Sequence, residues 1–326
     1  MIVPPTRSAS WSASADLPLA VGPAMSATVG RMPLFIATLI ASERLAAGEL
    51  SAAVDRLWQA GCAPGAATWI DEGEAADVAF ARDPAAARRA LEAAVAGGDV
   101  VVQPAAGREK KLLVADMDST MITVECIDEL ADYAGIKAEV AAVTEAAMRG
   151  ELDFAGALDA RVALLAGLEE RAIERCLAER VRIMPGAEAL VRTMRARGAH
   201  CVLVSGGFTR FAEPVAKAIG FDRAIANVLL TEGGRLTGRV AKPIVDAGTK
   251  EATLRAEAAR LGLSLAETLA VGDGANDLPM VCAAGLGVAY HAKPVVAAAA
   301  GARVEFGDLR ALLWAQGIAK AEWVAS

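Results

Sequence analysis

The chain has 326 residues, a net charge of −7, and 55% hydrophobic but only 4% aromatic residues, so it can bury a large aliphatic core and is long enough for two domains. The acidic balance argues against a general nucleic-acid or membrane-surface binder, and no apolar run approaches the ~20 residues a membrane span needs. Five scattered cysteines, Cys62, Cys126, Cys176, Cys201 and Cys282, lack metal-ligand spacing and read as reduced, mostly core residues of a cytoplasmic protein.

Residues 1–31 carry Pro4, Pro5, Pro18 and Pro23 and lack the basic start and unbroken apolar core of a signal peptide. They read as a disordered tail, with Met25 and Met32 as alternative starts. Leu34 to Ile40 is a strand. Leu45 to Gly61 has helical spacing and closes on glycine. Ala66 to Ile70 and Ala75 to Ala81 are short strands, Pro84 opens a helix to about Ala96, and Val100 to Val102 is a last strand. Residues 32–107 thus follow the β-α-β-β-α-β order of a ferredoxin-like α+β domain. That architecture resembles an amino-acid-binding regulatory domain of the ACT type. A docking or homodimerisation module fits equally well. Gln103 to Arg108 is the linker.

Leu112 to Ala115 is a fully apolar strand that ends in Asp116-Met117-Asp118-Ser119-Thr120. In extended backbone the two carboxylates point the same way, at the strand end where open α/β sheets bind ligands. Such a pair calls for a cation or a shared proton. Residues 122–183 show helical periodicity alone, which predicts a helical cap inserted over the strand ends. After Pro185-Gly186 come a helix from Ala187, an apolar strand, Cys201 to Val204, running into Ser205-Gly206-Gly207, and a helix to Ile219. Val228 to Leu230 and Leu236 to Val240 read as a glycine-turned hairpin. Gly248 or Thr249 caps a helix from Lys250 to Leu261. Thr268 to Val271 runs into Gly272-Asp273-Gly274-Ala275-Asn276-Asp277, and Leu286 to Ala289 is a further strand. Alternating helices and apolar strands predict an α/β fold with a Rossmann-like parallel sheet over residues 108–326. Three polar loops, Asp116/Asp118, Ser205-Gly206-Gly207 and Asp273/Asn276/Asp277, would converge on one edge, with Lys250 between the last two in sequence. Singly each is an ordinary turn or cap; in order after buried strands they point to metal-assisted phosphoryl chemistry.

Asp116-x-Asp118-x-Thr120, Ser205, Lys250 and Gly272-Asp273-Gly274-x-x-Asp277 resemble the four motifs of the haloacid dehalogenase superfamily. Glu125, Met148-Arg149-Gly150, Phe154, Arg161 and Phe208 bring the resemblance closer, to its phosphoserine phosphatase family. The resemblance implies hydrolysis of O-phospho-L-serine, the last step of serine biosynthesis, through a phosphoaspartyl intermediate. Asp116 would be nucleophile, Asp118 proton carrier, and Lys250 the neutralising cation. Mg²⁺ would be held by the Asp116 carboxylate, the Asp118 backbone carbonyl and Asp273, with Asp277 orienting its waters. Ser205 and the Gly206 and Gly207 N–H groups would cradle phosphate, with Asn276 also on the substrate side. Glu125 would take the substrate ammonium and Arg161 its carboxylate, while Met148 and Phe154 form an apolar wall. The rivals are the same chemistry on another small phosphate monoester, and a non-catalytic amino-acid sensor, which the presence of Asp116 disfavours. His200 and His291 read as structural.

Overall fold

The computed structural model describes residues 35–324 except 93, 94 and 96. The expected tail, residues 1–31, with Met25 and Met32, lies outside the described residues.

The first elements are β1 (Phe35–Ala41), α1 (Ala47–Gln59), β2 (Pro64–Asp71), β3 (Ala75–Phe80), α2 (Pro84–Leu91) and β4 (Gly98–Pro104). The strands form an antiparallel sheet in the order β2-β3-β1-β4. Side chains alternate between its faces. Ala37 and Leu39 of β1 and Ala76, Val78 and Phe80 of β3 pack under Leu50, Ala53 and Leu57 of α1 and Ala87 and Leu91 of α2. Asp83 caps α2 by accepting from the Ala86 N–H, and Pro84 occupies the first turn. The helix is described over Pro84–Leu91, and its expected end near Ala96 lies outside the described residues.

Part of the opposite face of this sheet packs on the rest of the chain. Ile40, Ala75 and Val101 join the main core. Arg108 donates to Asp77 at 2.5 and 2.8 Å, to Thr38 Oγ1, and to the carbonyls of Trp314 and Ala315. Gln103, expected in a linker, belongs to β4 and donates to Ala315 O. The stretch from Gln103 to Arg108 is therefore an anchored junction rather than a free tether.

β5 (Leu112–Ala115) leads to the cap helices α3 (Cys126–Ala134), α4 (Lys137–Met148), α5 (Phe154–Ala163) and α6 (Arg171–Arg180). The ends of the insertion meet in an Ile122–Ile183 bridge flanked by Thr123 N–H to Arg182 O and Met184 N–H to Met121 O, so it leaves and re-enters the core through one narrow neck. There follow α7 (Ala187–Ala196), β6 (His200–Phe208), α8 (Thr209–Ile219), β7 (Arg223–Asn227), the hairpin β8 (Leu229–Glu232) and β9 (Arg235–Val240), and α9 (Ala247–Leu261). β10 (Thr268–Gly272), α10 (Leu278–Ala283), β11 (Leu286–Tyr290), α11 (Pro294–Ala299), β12 (Ala302–Val304) and α12 (Ala311–Ala315) complete the described chain apart from short 3₁₀ turns. Six strands form a parallel sheet in the order β12-β11-β10-β5-β6-β7.

β5 is central, which is why its apolar run is unbroken. Leu113 and Ala115, with Cys201, Leu203, Leu269 and Val271, face the core under α7, α8 and α12. Leu112 and Val114, with Val202, Val204 and Ala270, face Leu254 and Ala258 of α9 and Met280 of α10. Each fully buried Leu or Val contributes about 1.5–3 kcal/mol of transfer free energy. The short edge strands β7 and β12 were not expected from sequence. α9 begins three residues earlier than expected: Asp246, not Gly248 or Thr249, is its cap, accepting from Thr249 N–H at 2.8 Å.

Candidate active site

The loop after β5 is shaped by its own backbone. Asp116 N–H continues the ladder to Val271 O, and the N–H groups of Thr120, Met121 and Ile122 all turn back to Met117 O. Ser119 takes the left-handed region at φ 55°, an uncommon conformation for a residue with a Cβ, and its hydroxyl donates to Glu125 Oε1 at 2.7 Å. The loop therefore presents Asp116, Asp118 and Glu125 together to one cavity.

The two aspartates have different surroundings. Asp116 pairs with Lys250 Nζ at 2.6 Å, and Lys250, wholly buried, also holds Asp277 at 2.6 Å. Asp118 accepts the Cys126 N–H at the start of α3 at 3.1 Å, and Ser205 Oγ lies 3.5 Å from its other oxygen. Burial alone would lower the Lys250 ammonium, but Asp116 and Asp277 more than reverse this and hold it above its ordinary range. Burial pushes Asp116 up, Asp277 and Asp118 add to the rise, and Lys250 opposes it. Asp118 is pushed up to about 7, first by burial and then by Glu125. Asp273 is raised to about 6 by burial and by Asp277.

One oxygen from each of Asp116, Asp273 and Asp277 lies within 4.8 Å of the others. Crowded, desolvated carboxylates with a single buried ammonium among them carry surplus negative charge. A hard divalent cation with oxygen ligands fits that surplus.

These groups open into a cavity of about 420 Å³. Asp116, Asp118, Asp273, Asn276, Gly206 and Gly207 line it from the core, and Glu125, Phe154 and Arg161 from the cap. The Phe154 ring comes down over Gly206, its Cζ 3.4 Å from where a Cβ would be. A Cβ on Gly207 would meet Asp118 Oδ2 at 2.8 Å and Ser205 Oγ at 3.0 Å, so this close approach requires glycine. Ser205 lies beneath the cavity, fully buried, and its Oγ accepts the Gly207 N–H at 2.8 Å. That N–H, expected as a phosphate donor, is thus engaged within the strand. Lys250 and Asp277 also lie beneath the lining. The Met148 side chain lies outside the described residues.

Arg161 is half-buried in the cap wall. Its potential helix partners are occupied elsewhere: Asp153 caps α5, Asp159 pairs with Lys242, and Glu169 with Arg171 and Arg235. Among the described residues no carboxylate stands within ion-pair distance of its guanidinium. Burial lowers its proton affinity, with Asp128 and then Glu125 opposing. Asp128, Thr144 and Lys293 also line the cavity and were not picked out from sequence. Asp128 lies in the first turn of the helix that Glu125 opens, three residues further on. Lys293 follows a parallel strand, where ligand-binding loops occur. Thr144 carries no such signal.

A parallel sheet whose central strand ends in this aspartate pair, with a buried lysine, a second acidic loop and a helical cap, defines a class. Residues 113–281 match the haloacid dehalogenase-like hydrolase family, and the chain belongs to it. Phosphoserine phosphatases are among its relatives: one from Streptomyces coelicolor is 49% identical over 74% of this chain, and one from Albidiferax ferrireducens is 49% identical over 62% of this chain and 88% of its own length. The match spans 59% of the length of the Streptomyces protein. The unliganded structure of a probable phosphoserine phosphatase from Vibrio cholerae superposes with a TM-score of 0.70 at 33% identity, covering 89% of this chain and 88% of that one. That share exceeds what residues 108–326 alone could supply, so the likeness includes part of the N-terminal sheet domain.

Proposed function

We propose that the protein hydrolyses O-phospho-L-serine to L-serine and phosphate. The observation that carries this reading is the cavity itself: Asp116 at its floor, backed by Lys250, faces a cap wall bearing Glu125 and an Arg161 with no ion-pair partner among the described residues. The substrate offers matching groups, a phosphate, an ammonium and a carboxylate.

Asp116 attacks phosphorus and the bond to the serine oxygen breaks. Asp118 gives its proton to that oxygen, so neutral serine leaves and an aspartyl phosphate remains. Water then attacks the phosphorus, Asp118 takes its proton, and phosphate departs with Asp116 restored. Lys250 neutralises the attacking carboxylate and the transferring group. Asp116, the Asp118 carbonyl and Asp273 would hold Mg²⁺, the ion the family generally uses, with Asp277 behind them; bound there, it screens the phosphate charge from the carboxylates. Glu125 binds the ammonium, Arg161 the carboxylate through its planar fork, and Phe154 excludes water. Asn276 and the Gly206–Gly207 backbone border the phosphate. Residues 32–107 would make up the sheet domain, packed on a hydrolase domain of residues 108–326 with its cap at 122–183.

A phosphate-release assay over phosphoserine, phosphoglycolate and p-nitrophenyl phosphate, with and without Mg²⁺, tests this. Phosphoserine should be preferred and turnover should require the ion; equal rates on phosphoserine and phosphoglycolate would defeat the substrate assignment. Asp116→Asn should abolish turnover on every substrate, and retained activity would overturn the chemistry.

A further inference from the structure

We propose that Lys293 is the core-side cation that draws the phosphate group into the cavity and binds it there. This rests on the reading of the cavity as a phosphomonoester site. Five carboxylates line it, Asp116, Asp118, Glu125, Asp128 and Asp273, against two cations, Arg161 and Lys293. An incoming phosphate dianion therefore meets a lining with more carboxylates than cations, and Arg161 stands on the cap wall, where it serves the other end of the substrate. Lys250 acts from beneath the floor, beside Asp116 and Asp277. Lys293 is the cation that the core side adds in the lining itself.

Its position supports the role. The Lys293 backbone N–H donates to Asp273 O at 3.1 Å, which fixes the residue beside the Asp273–Asp277 loop. Its side chain borders the cavity and makes no hydrogen bond or ion pair among the described residues. An exposed ammonium at an acidic mouth accelerates encounter with an anion and adds a direct contact once the ligand is seated. Because it also adjoins Asp273, it repels a divalent cation, so its removal should not weaken metal binding.

The test compares wild type, Lys293→Met and Lys293→Arg. Inhibition by inorganic phosphate, KM and kcat for phosphoserine and p-nitrophenyl phosphate, the salt dependence of kcat/KM, and Mg²⁺ binding by calorimetry are measured. Lys293→Met should weaken phosphate inhibition and raise KM for both substrates by about three- to fivefold, act less on kcat, and flatten the salt dependence. Lys293→Arg should restore most of this, and Mg²⁺ should bind the Met variant at least as tightly as wild type. An unchanged phosphate inhibition constant would overturn the proposal, as would weakened Mg²⁺ binding. Phosphate inhibition can be read on p-nitrophenyl phosphate alone. If phosphoserine proves a poor substrate while phosphate inhibition still depends on Lys293, the substrate reading falls and the role of Lys293 stands.

Discussion

Asp116 and Asp118 are two residues apart in one loop, yet one is bound to an ammonium and the other to the N-terminus of a helix. That difference suits a nucleophile and a proton donor. Asp118, at about 7, is raised by burial first and by Glu125 second. In the proposed mechanism it is protonated when the leaving oxygen departs, so the rate of that step should fall as pH rises through this value. Glu125→Gln removes a negative neighbour and should move the falling limb of kcat, at saturating phosphoserine, to lower pH; a limb that stays or moves up would show that Glu125 does not tune Asp118. Arg161→Ala should cost about ten- to hundredfold in kcat/KM for phosphoserine, the worth of a charge-assisted hydrogen-bonded contact. It should leave p-nitrophenyl phosphate far less affected, and equal losses would place Arg161 in a structural role.

At the level of elements, α9 delivers Lys250 to the floor of the site from its first turn. Its cap, Asp246, accepts from both the backbone and the hydroxyl of Thr249, and the Thr249 N–H above all holds the carboxyl below its ordinary range. A depressed folded value means the contribution is present above the unfolded pKa and lost as pH falls through the folded one. Asp246→Ala should therefore cost about 1 kcal/mol at neutral pH, seen as a lower melting temperature. The gap to wild type should close below pH ~4; a gap independent of pH would refute the capping role. The β8–β9 hairpin has a related positioning task. Gly167 N–H donates to Leu236 O, Leu236 N–H to Leu168 O, and Glu170 N–H to Gly234 O, tying the cap to the core. At Gly238, φ 74°, a Cβ would fall 2.9 Å from the Ala166 Cβ, so only glycine permits this approach of hairpin to cap.

At the scale of the molecule, the N-terminal sheet is fastened to the segment that carries Lys293. Asp99 accepts the N–H groups of Glu305, Phe306 and Gly307, Arg88 donates to the carbonyls of Ala300 and Gly301, and His291 Nε2 meets Gly307 O. Arg108 and Asp77, both largely buried, form the ion pair at the centre of the junction. Breaking it by Arg108→Ala leaves an uncompensated carboxylate and should destabilise the protein by about 3–5 kcal/mol, measured by denaturant unfolding of the full chain. A loss within about 0.5 kcal/mol, the usual range for a surface change, would mean that the two domains stand independently.

By itself the sequence determined the α/β class, the ferredoxin-like order of the first elements, the cap insertion and the polar loops after β5, β6 and β10. These are written in local periodicity and in short spacings along one strand, loop or helix. Only the tertiary structure decided that Ser205, Lys250 and Asp277 lie under the cavity rather than in its wall. It alone joined Asp128, Thr144 and Lys293 to Asp116, because the cap fold and the turn after β11 bring together residues far apart in sequence. The edge strands β7 and β12 became strands through pairing with neighbours, a contribution that no window of their own residues contains. Arg108 reads locally as part of a linker, but it is an anchor because its partners Asp77, Trp314 and Ala315 come from distant parts of the chain.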